Sequence, residues 1–183
     1  LKKKGVPLTK DSLGMIHYAG VGAELKTLYV YTNQDSPVGP IDVNDTSEVI
    51  LLTVGDTKAL FTGDLNFRIG GYLAKHGRGL RADIIKVPHH GAESMAPDSF
   101  LDAVDARFAL VPAPASLWQH PRSQKMREYF SSKNIPILVN GVHGNIKVSF
   151  FENRFEIKPD RGAGFVSFPA KPPSRKSVGY IHP

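Results

Sequence analysis

Asp64 in the stretch LFTGDL and His89-His90 in KVPHHG are the residues of this 183-residue chain best placed to do chemistry. Each follows an apolar run that reads as a strand, so each falls at a strand's C-terminal end, where open α/β sheets gather their functional loops. About one strand-helix-strand unit separates them, and such a crossover sets two parallel strand ends side by side. A carboxylate and an imidazole arriving there could converge on one cation. Each also has a plain structural alternative. Asp64 could cap the helix that follows it, since Asp is a favoured N-cap, and His-His-Gly could be a surface turn or a hydrogen-bonded support. The conjunction favours chemistry, because a strand-ending Asp, a helix and a strand-ending His-His-Gly have few structural reasons to occur together.

The chain has no cysteine, which excludes disulfides and thiolate metal sites, so any metal must be held by His, Asp or Glu. With 41% apolar and 22% charged residues it has the composition of an ordinary globular domain. No run approaches the roughly 18 to 20 apolar residues of a membrane helix. The net charge of +6, from 23 Lys+Arg against 17 Asp+Glu, suits acidic partners such as phosphodiesters or anionic membranes. Leu1 to Val6 reads like a helix end, a glycine stop and a following strand, so the chain is expected to be a fragment cut within a fold.

The elements that must position these residues follow from pattern and turn chemistry. Val21 to Thr32 and Glu48 to Thr53 read as strands around the loop Asn33 to Thr46, and Gly55-Asp56 turns the second strand into a hairpin ending at Thr62. Helices are expected over about Phe67 to His76, Asp98 to Val104 and Ser123 to Ser132. They alternate with strands over Asp83 to Val87, Phe108 to Val111 and Ile135 to Val139. Such alternation implies βαβ units around a largely buried sheet. A last hairpin turns at Glu152-Asn153, and residues 161–183 read as a flexible, basic, Pro-rich tail behind a domain over 1–160. Met126, Tyr129 and Phe130 recur at helical spacing and are expected in the core. His17, His76, His143 and His182 show no ligand spacing among themselves.

NDTSEVILLTVGDTKALFTGDL, then LRADIIKVPHHG, then LWQHP together resemble the C-terminal half of the metallo-β-lactamase-type hydrolase domain of ComEC-type DNA-uptake competence proteins and their free-standing relatives. The likeness runs from about Asn44 to Val148. It implies an α/β metallo-β-lactamase-like αββα sandwich, of which this chain would hold only the C-terminal half. It implies two zinc or manganese ions in the complete domain, with Asp64 as the carboxylate that bridges or orients them. His90 looks like the final imidazole ligand, and His89 would be a further ligand, stand behind it or face substrate. The sequence does not order the pair. Asn44 and Ser47 resemble the family's Asn-x-x-Ser and would brace the site or touch substrate, while His120 resembles the His of its His-Pro and would contact substrate. The alternative for His120 is a helix-start residue before Pro121.

The chain also departs from that pattern. Ala92 stands where relatives carry Ser after His-His-Gly, and Ser116-Leu117-Trp118-Gln119 replaces Asn-x-Tyr-Gly. Nothing like the family's upstream His-x-His-x-Asp-His occurs before Thr62, where His17 is the only histidine. A catalytic zinc generally takes three protein ligands, so the missing ones are expected from an N-terminal half of the same domain. Two functions remain in play. One is a metal-dependent hydrolase, with phosphodiesters such as DNA the favoured substrate. The other is a non-catalytic basic α/β module that binds nucleic acid or a protein partner.

Overall fold

A computed structural model describes residues 4–5, 10–20, 22–31, 38, 42–92, 96–162 and 166–169. The lysine-rich start, most of the loop expected over 33–46 and residues 170–183 lie outside that set. Ten strands are described: β1 (Ile16–Gly20), β2 (Ala23–Tyr29), β3 (Val49–Val54), β4 (Thr57–Phe61), β5 (Ile84–Lys86), β6 (Phe108–Val111), β7 (Ile137–Val139), β8 (Ile146–Phe150), β9 (Arg154–Pro159) and β10 (Val166–Pro169). The helices are α1 (Phe67–His76), α2 (Asp98–Val104), α3 (Ala115–Gln119), α4 (Gln124–Ser132) and α5 (Asn140–His143). None of the described helices is long and apolar enough to cross a membrane.

The protein is a mixed α/β structure. β1 to β7 form one sheet in sequence order, antiparallel from β1 to β4 and parallel from β4 to β7. The parallel half is built from crossovers, β4-α1-β5-α2-β6-α4-β7, which brings the C-terminal ends of four strands to one edge. β8, β9 and β10 make a second, antiparallel sheet in the order β10-β9-β8.

Alternation along the strands explains the layers. Ile85, Val87, Ala109 and Val111 face the helices and share a core with Ile69 and Leu73 of α1, Phe100 and Val104 of α2, and Met126 and Phe130 of α4. Ala59, Ile84, Phe108 and Leu138 point the other way, onto Phe155 and Ile157 of β9. The parallel strands are thus buried on both sides, which is why their sequences are continuous apolar runs rather than alternating ones. Phe100, Phe130 and Phe155 are fully buried, each stabilising the fold by about 2–3 kcal/mol through the area it removes from water. The order of layers is helices, large sheet, small sheet; among the described residues no helical layer covers the small sheet.

Local chemistry accounts for the elements that match expectation. Gly55 opens the two-residue β3–β4 turn with φ +54°, and a Cβ there would lie 2.3 Å from the Glu152 carbonyl oxygen. The β3–β4 and β8–β9 turns therefore touch backbone to backbone, joined by the Asp56 amide donating to Glu152 O at 2.6 Å. Pro97 precedes α2 as its N-cap, and Asp105 ends it with φ +51°.

The structure differs from expectation at the margins. β1, α3 and α5 were not anticipated. Part of the expected tail is a strand: β10 pairs with β9, Phe168 stacks on Phe155 with centroids 5.0 Å apart, and Arg107 lies over the Phe168 ring while donating to Pro169 O. Those partners are far away in sequence, so local composition could not reveal them.

Candidate metal centre

Asp64 follows β4 and the His89-His90 pair follows β5, and these strands are parallel neighbours, with Phe61 level with Lys86. The loops after them interlock. Thr62 Oγ1 donates to Lys86 O at 2.7 Å, and the His89 amide donates to Gly63 O at 3.4 Å. Gly63 turns the chain with φ +55°, and a Cβ on it would stand 2.6 Å from the Ser47 Cβ. That close approach lets Ser47 Oγ accept the Asp64 amide at 2.9 Å.

The two carboxylate oxygens of Asp64 have different neighbours. Oδ1 lies 3.3 Å from Lys86 Nζ, and Oδ2 lies 3.7 Å from His90 Nε2. His90 Nδ1 sits 2.6 Å from Pro112 O, at the end of the next parallel strand. A carbonyl oxygen only accepts, so Nδ1 carries the proton, and in the neutral ring Nε2 presents a lone pair. Two acceptors then face each other, an arrangement that a shared proton or a shared cation makes favourable. Burial pulls the Lys86 pKa below the usual lysine range, and the Asp64 charge offsets part of that shift.

His89 and His90 both adopt left-handed backbone, with φ +47° and +56°. Consecutive non-glycine residues in that region carry strain, which functional sites concentrate. His89 Nδ1 is buried and has no hydrogen-bond partner among the described residues. Gly91, with φ +75°, closes the turn against Trp118; a Cβ there would meet the Trp118 ring at 2.8 Å.

The structure brings Asp64, His89, His90 and Ser47 together, sets Asn44 behind Ser47 and gives His120 local partners. Asn44 lies in the 3-10 turn Val43–Thr46, where its amide donates to Asp42 Oδ1 at 2.7 Å and its carbonyl accepts the Ser47 amide. It shapes the approach to Ser47. His120 is exposed, and its Nδ1 accepts the Arg122 amide at 3.2 Å ahead of Pro121, which is the helix-start arrangement. Among the described residues no hydrogen bond or ion pair joins His120 to Asp64 or His90. Nor is Asp64 the cap of α1. Asn66 takes the N-cap position, and the buried Asp45 carboxyl nearby accepts the Asp42 amide through Oδ2 while its Oδ1 has no hydrogen-bond partner among the described residues; burial raises its pKa.

Sequence reasoning did not single out Lys86, Pro112 or Asp45. Lys86 stands three residues before His89 in the same stretch, and its nearness was the available signal. Among the described residues no group of three or more His, Cys, Asp or Glu is arranged to hold a metal. His17 is bound to Asp11 and Thr27, and His143 to the Val139 backbone, both away from Asp64.

No protein-family model matches the chain. It is 22% identical over 127 residues to ComE operon protein 3 of Bacillus subtilis, covering 69% of this chain and 16% of that protein. It is 27% identical over 119 residues to Recombination protein 2 of Haemophilus influenzae, covering 64% of this chain and 15% of that protein. The chain thus spans about a sixth of the length of these curated relatives. A solved structure of a CmlA beta-hydroxylase mutant aligns with 69% of this chain and 31% of its own, at 14% identity and a TM-score of 0.45.

Proposed function

We propose that this chain forms one wall of the metal site of a ComEC-type metallo-β-lactamase-fold hydrolase domain acting on phosphodiesters, with Asp64 and His90 as metal ligands. One observation carries the reading: Pro112 O commits His90 Nδ1, so Nε2 is left facing Asp64 Oδ2 at 3.7 Å. Ligand atoms about 2.0–2.2 Å from a tetrahedral ion stand about 3.4 Å apart, so a small side-chain adjustment would let both bind one cation. The layer order of helices, large sheet and small sheet supports half of an αββα sandwich. The relatives named for the ComE operon and for recombination support the competence setting.

Two ligands are fewer than zinc takes from protein, so the remaining donors would come from an N-terminal half outside these residues. An oxygen and nitrogen ligand set without sulfur is compatible with zinc or manganese. Ions held there would lower the pKa of a coordinated water and neutralise charge on phosphoryl oxygens. This chain's own part is to hold Asp64 by its amide on Ser47, to fix the His90 tautomer through Pro112, and to offer His89 Nδ1 as a buried group in want of a partner. A second reading, a non-catalytic basic module for nucleic acid or protein, is favoured by the lack of a three-ligand group among the described residues.

The test is calorimetric titration of the purified protein with manganese and zinc, beside Asp64→Ala and His90→Ala. Weak binding abolished in both variants is expected. Binding that survives both substitutions, or none in the unaltered protein at millimolar metal, rejects the proposed ligands.

A further inference from the structure

We infer that Lys86 is a positioning residue and built-in counter-cation for Asp64, holding one carboxylate oxygen so that only the other is presented to an ion. This rests on the proposed role of Asp64 and His90 as ligands.

The observation is where the ammonium goes. Lys86 has the same parity in β5 as Ile84, so it leaves the sheet on the face that carries the small sheet, level with Phe61 and Leu110. Phe61 is 43% exposed, so an extended Lys86 would find water nearby. Instead its side chain is only 20% exposed, and its Nζ turns over the strand end to donate to Gly63 O and to Asp64 Oδ1. One ammonium therefore grips a peptide carbonyl and the carboxylate of the next residue. An exposed lysine–aspartate pair fixes little, because each long side chain moves freely. A donor shared by consecutive residues sets the peptide plane and the carboxylate plane together.

The consequence is a division of labour between the two oxygens. Oδ1 is neutralised inside the protein, while Oδ2 faces His90. Asp64 is thus oriented before any ion arrives, and it presents a single oxygen. The same positive charge repels an arriving divalent ion, so the orientation is gained at the expense of affinity. A lysine that merely packed against the strand end would behave differently, since a side chain of similar volume in its place would leave metal binding unchanged.

The experiment is calorimetric titration with manganese and with zinc of the unaltered protein, Lys86→Met and Lys86→Arg, with Asp64→Ala as the control for the site. Expected is binding at least about tenfold tighter in Lys86→Met, where similar volume is kept and charge removed, and within about twofold of the unaltered protein in Lys86→Arg. Unchanged or weaker binding in Lys86→Met, with binding still lost in Asp64→Ala, overturns the role of Lys86 and leaves the metal reading standing. If the unaltered protein binds neither metal, the metal reading falls. Lys86 is then judged by a melting cycle of Asp64→Asn, Lys86→Met and the double variant in chelator. A double variant more stable than the sum of single losses supports the pairing, and strict additivity overturns it.

Discussion

Ser47 Oγ accepts the backbone amide of Asp64 at 2.9 Å, so the segment before β3 holds the residue after β4. A net hydrogen bond of this kind contributes about 1 kcal/mol. Ser47→Ala is expected to lower unfolding free energy by about that amount in urea melts. It should also weaken manganese binding several-fold, because the Asp64 peptide is freed. Unchanged metal binding alongside lowered stability would show that Ser47 supports the fold without setting Asp64.

Gly63 presents two separable obstacles to a side chain: its φ of +55° and the Ser47 Cβ that a new methyl would meet at 2.6 Å. Backbone strain at alanine costs about 1–2 kcal/mol, and overpacking adds about 1–3 kcal/mol. Gly63→Ala should therefore be destabilised by about 2–5 kcal/mol. Measured against Ser47→Gly alone, which already lacks the hydrogen bond to Asp64, the double variant should recover the packing part and leave the backbone part. Full recovery in the double variant would mean that the positive φ carries no cost.

The left-handed backbone of His89 gives a prediction that depends on side-chain shape. Asn tolerates φ near +47° well, whereas a β-branched residue does not. His89→Asn should hold stability within about 1 kcal/mol, and His89→Val should lose at least about 2 kcal/mol, measured by chemical denaturation. Equal losses in the two variants would show that the imidazole's contacts, rather than the backbone, decide.

Asp45, two residues before Ser47, gives a pH prediction that does not involve metal. Burial raises the folded pKa of its carboxyl above the unfolded value, so the folded state favours the protonated form. The stability this contributes is fully present below the unfolded pKa and is lost as pH rises through the folded one; ionised Asp45 opposes folding at neutral pH. Asp45→Asn keeps an oxygen acceptor for the Asp42 amide and removes the charge. Its melting temperature should exceed that of the unaltered protein at about pH 7, with the advantage vanishing by about pH 4. A constant difference across that range would assign the effect to capping alone.

Much of this arrangement was legible in sequence because it is local. α1 and α2 begin and end where apolar spacing and Pro97 place them. The β3–β4 turn sits on Gly55-Asp56. Asp64 and the histidine pair could be placed together because β4, α1 and β5 form a single crossover. What was not legible depends on distant partners. β10 exists because Phe155, Phe108 and Arg107 receive Phe168 and Pro169. The tautomer of His90 is set by a carbonyl on the following strand, Pro112, whose residue type says nothing of that role. His120 shows a local role beside the expected one, since its Nδ1 accepts the Arg122 amide at the start of the 3-10 turn Pro121–Ser123.

The first turns of α3 and α5 cross at backbone contact: a Cβ on Gly141 would lie 2.1 Å from the Ala115 nitrogen. α3 then carries Trp118 against Gly91, directly after His90. The edge of the sheet at β7 and the histidine turn are thus joined through one short helix with no room to shift. In evolutionary terms, these two glycines are not independent sites. A side chain gained at Gly141 would have to move the start of α3, the helix that carries Trp118 against Gly91 beside His90, so a change at the sheet's edge is felt at the histidine turn.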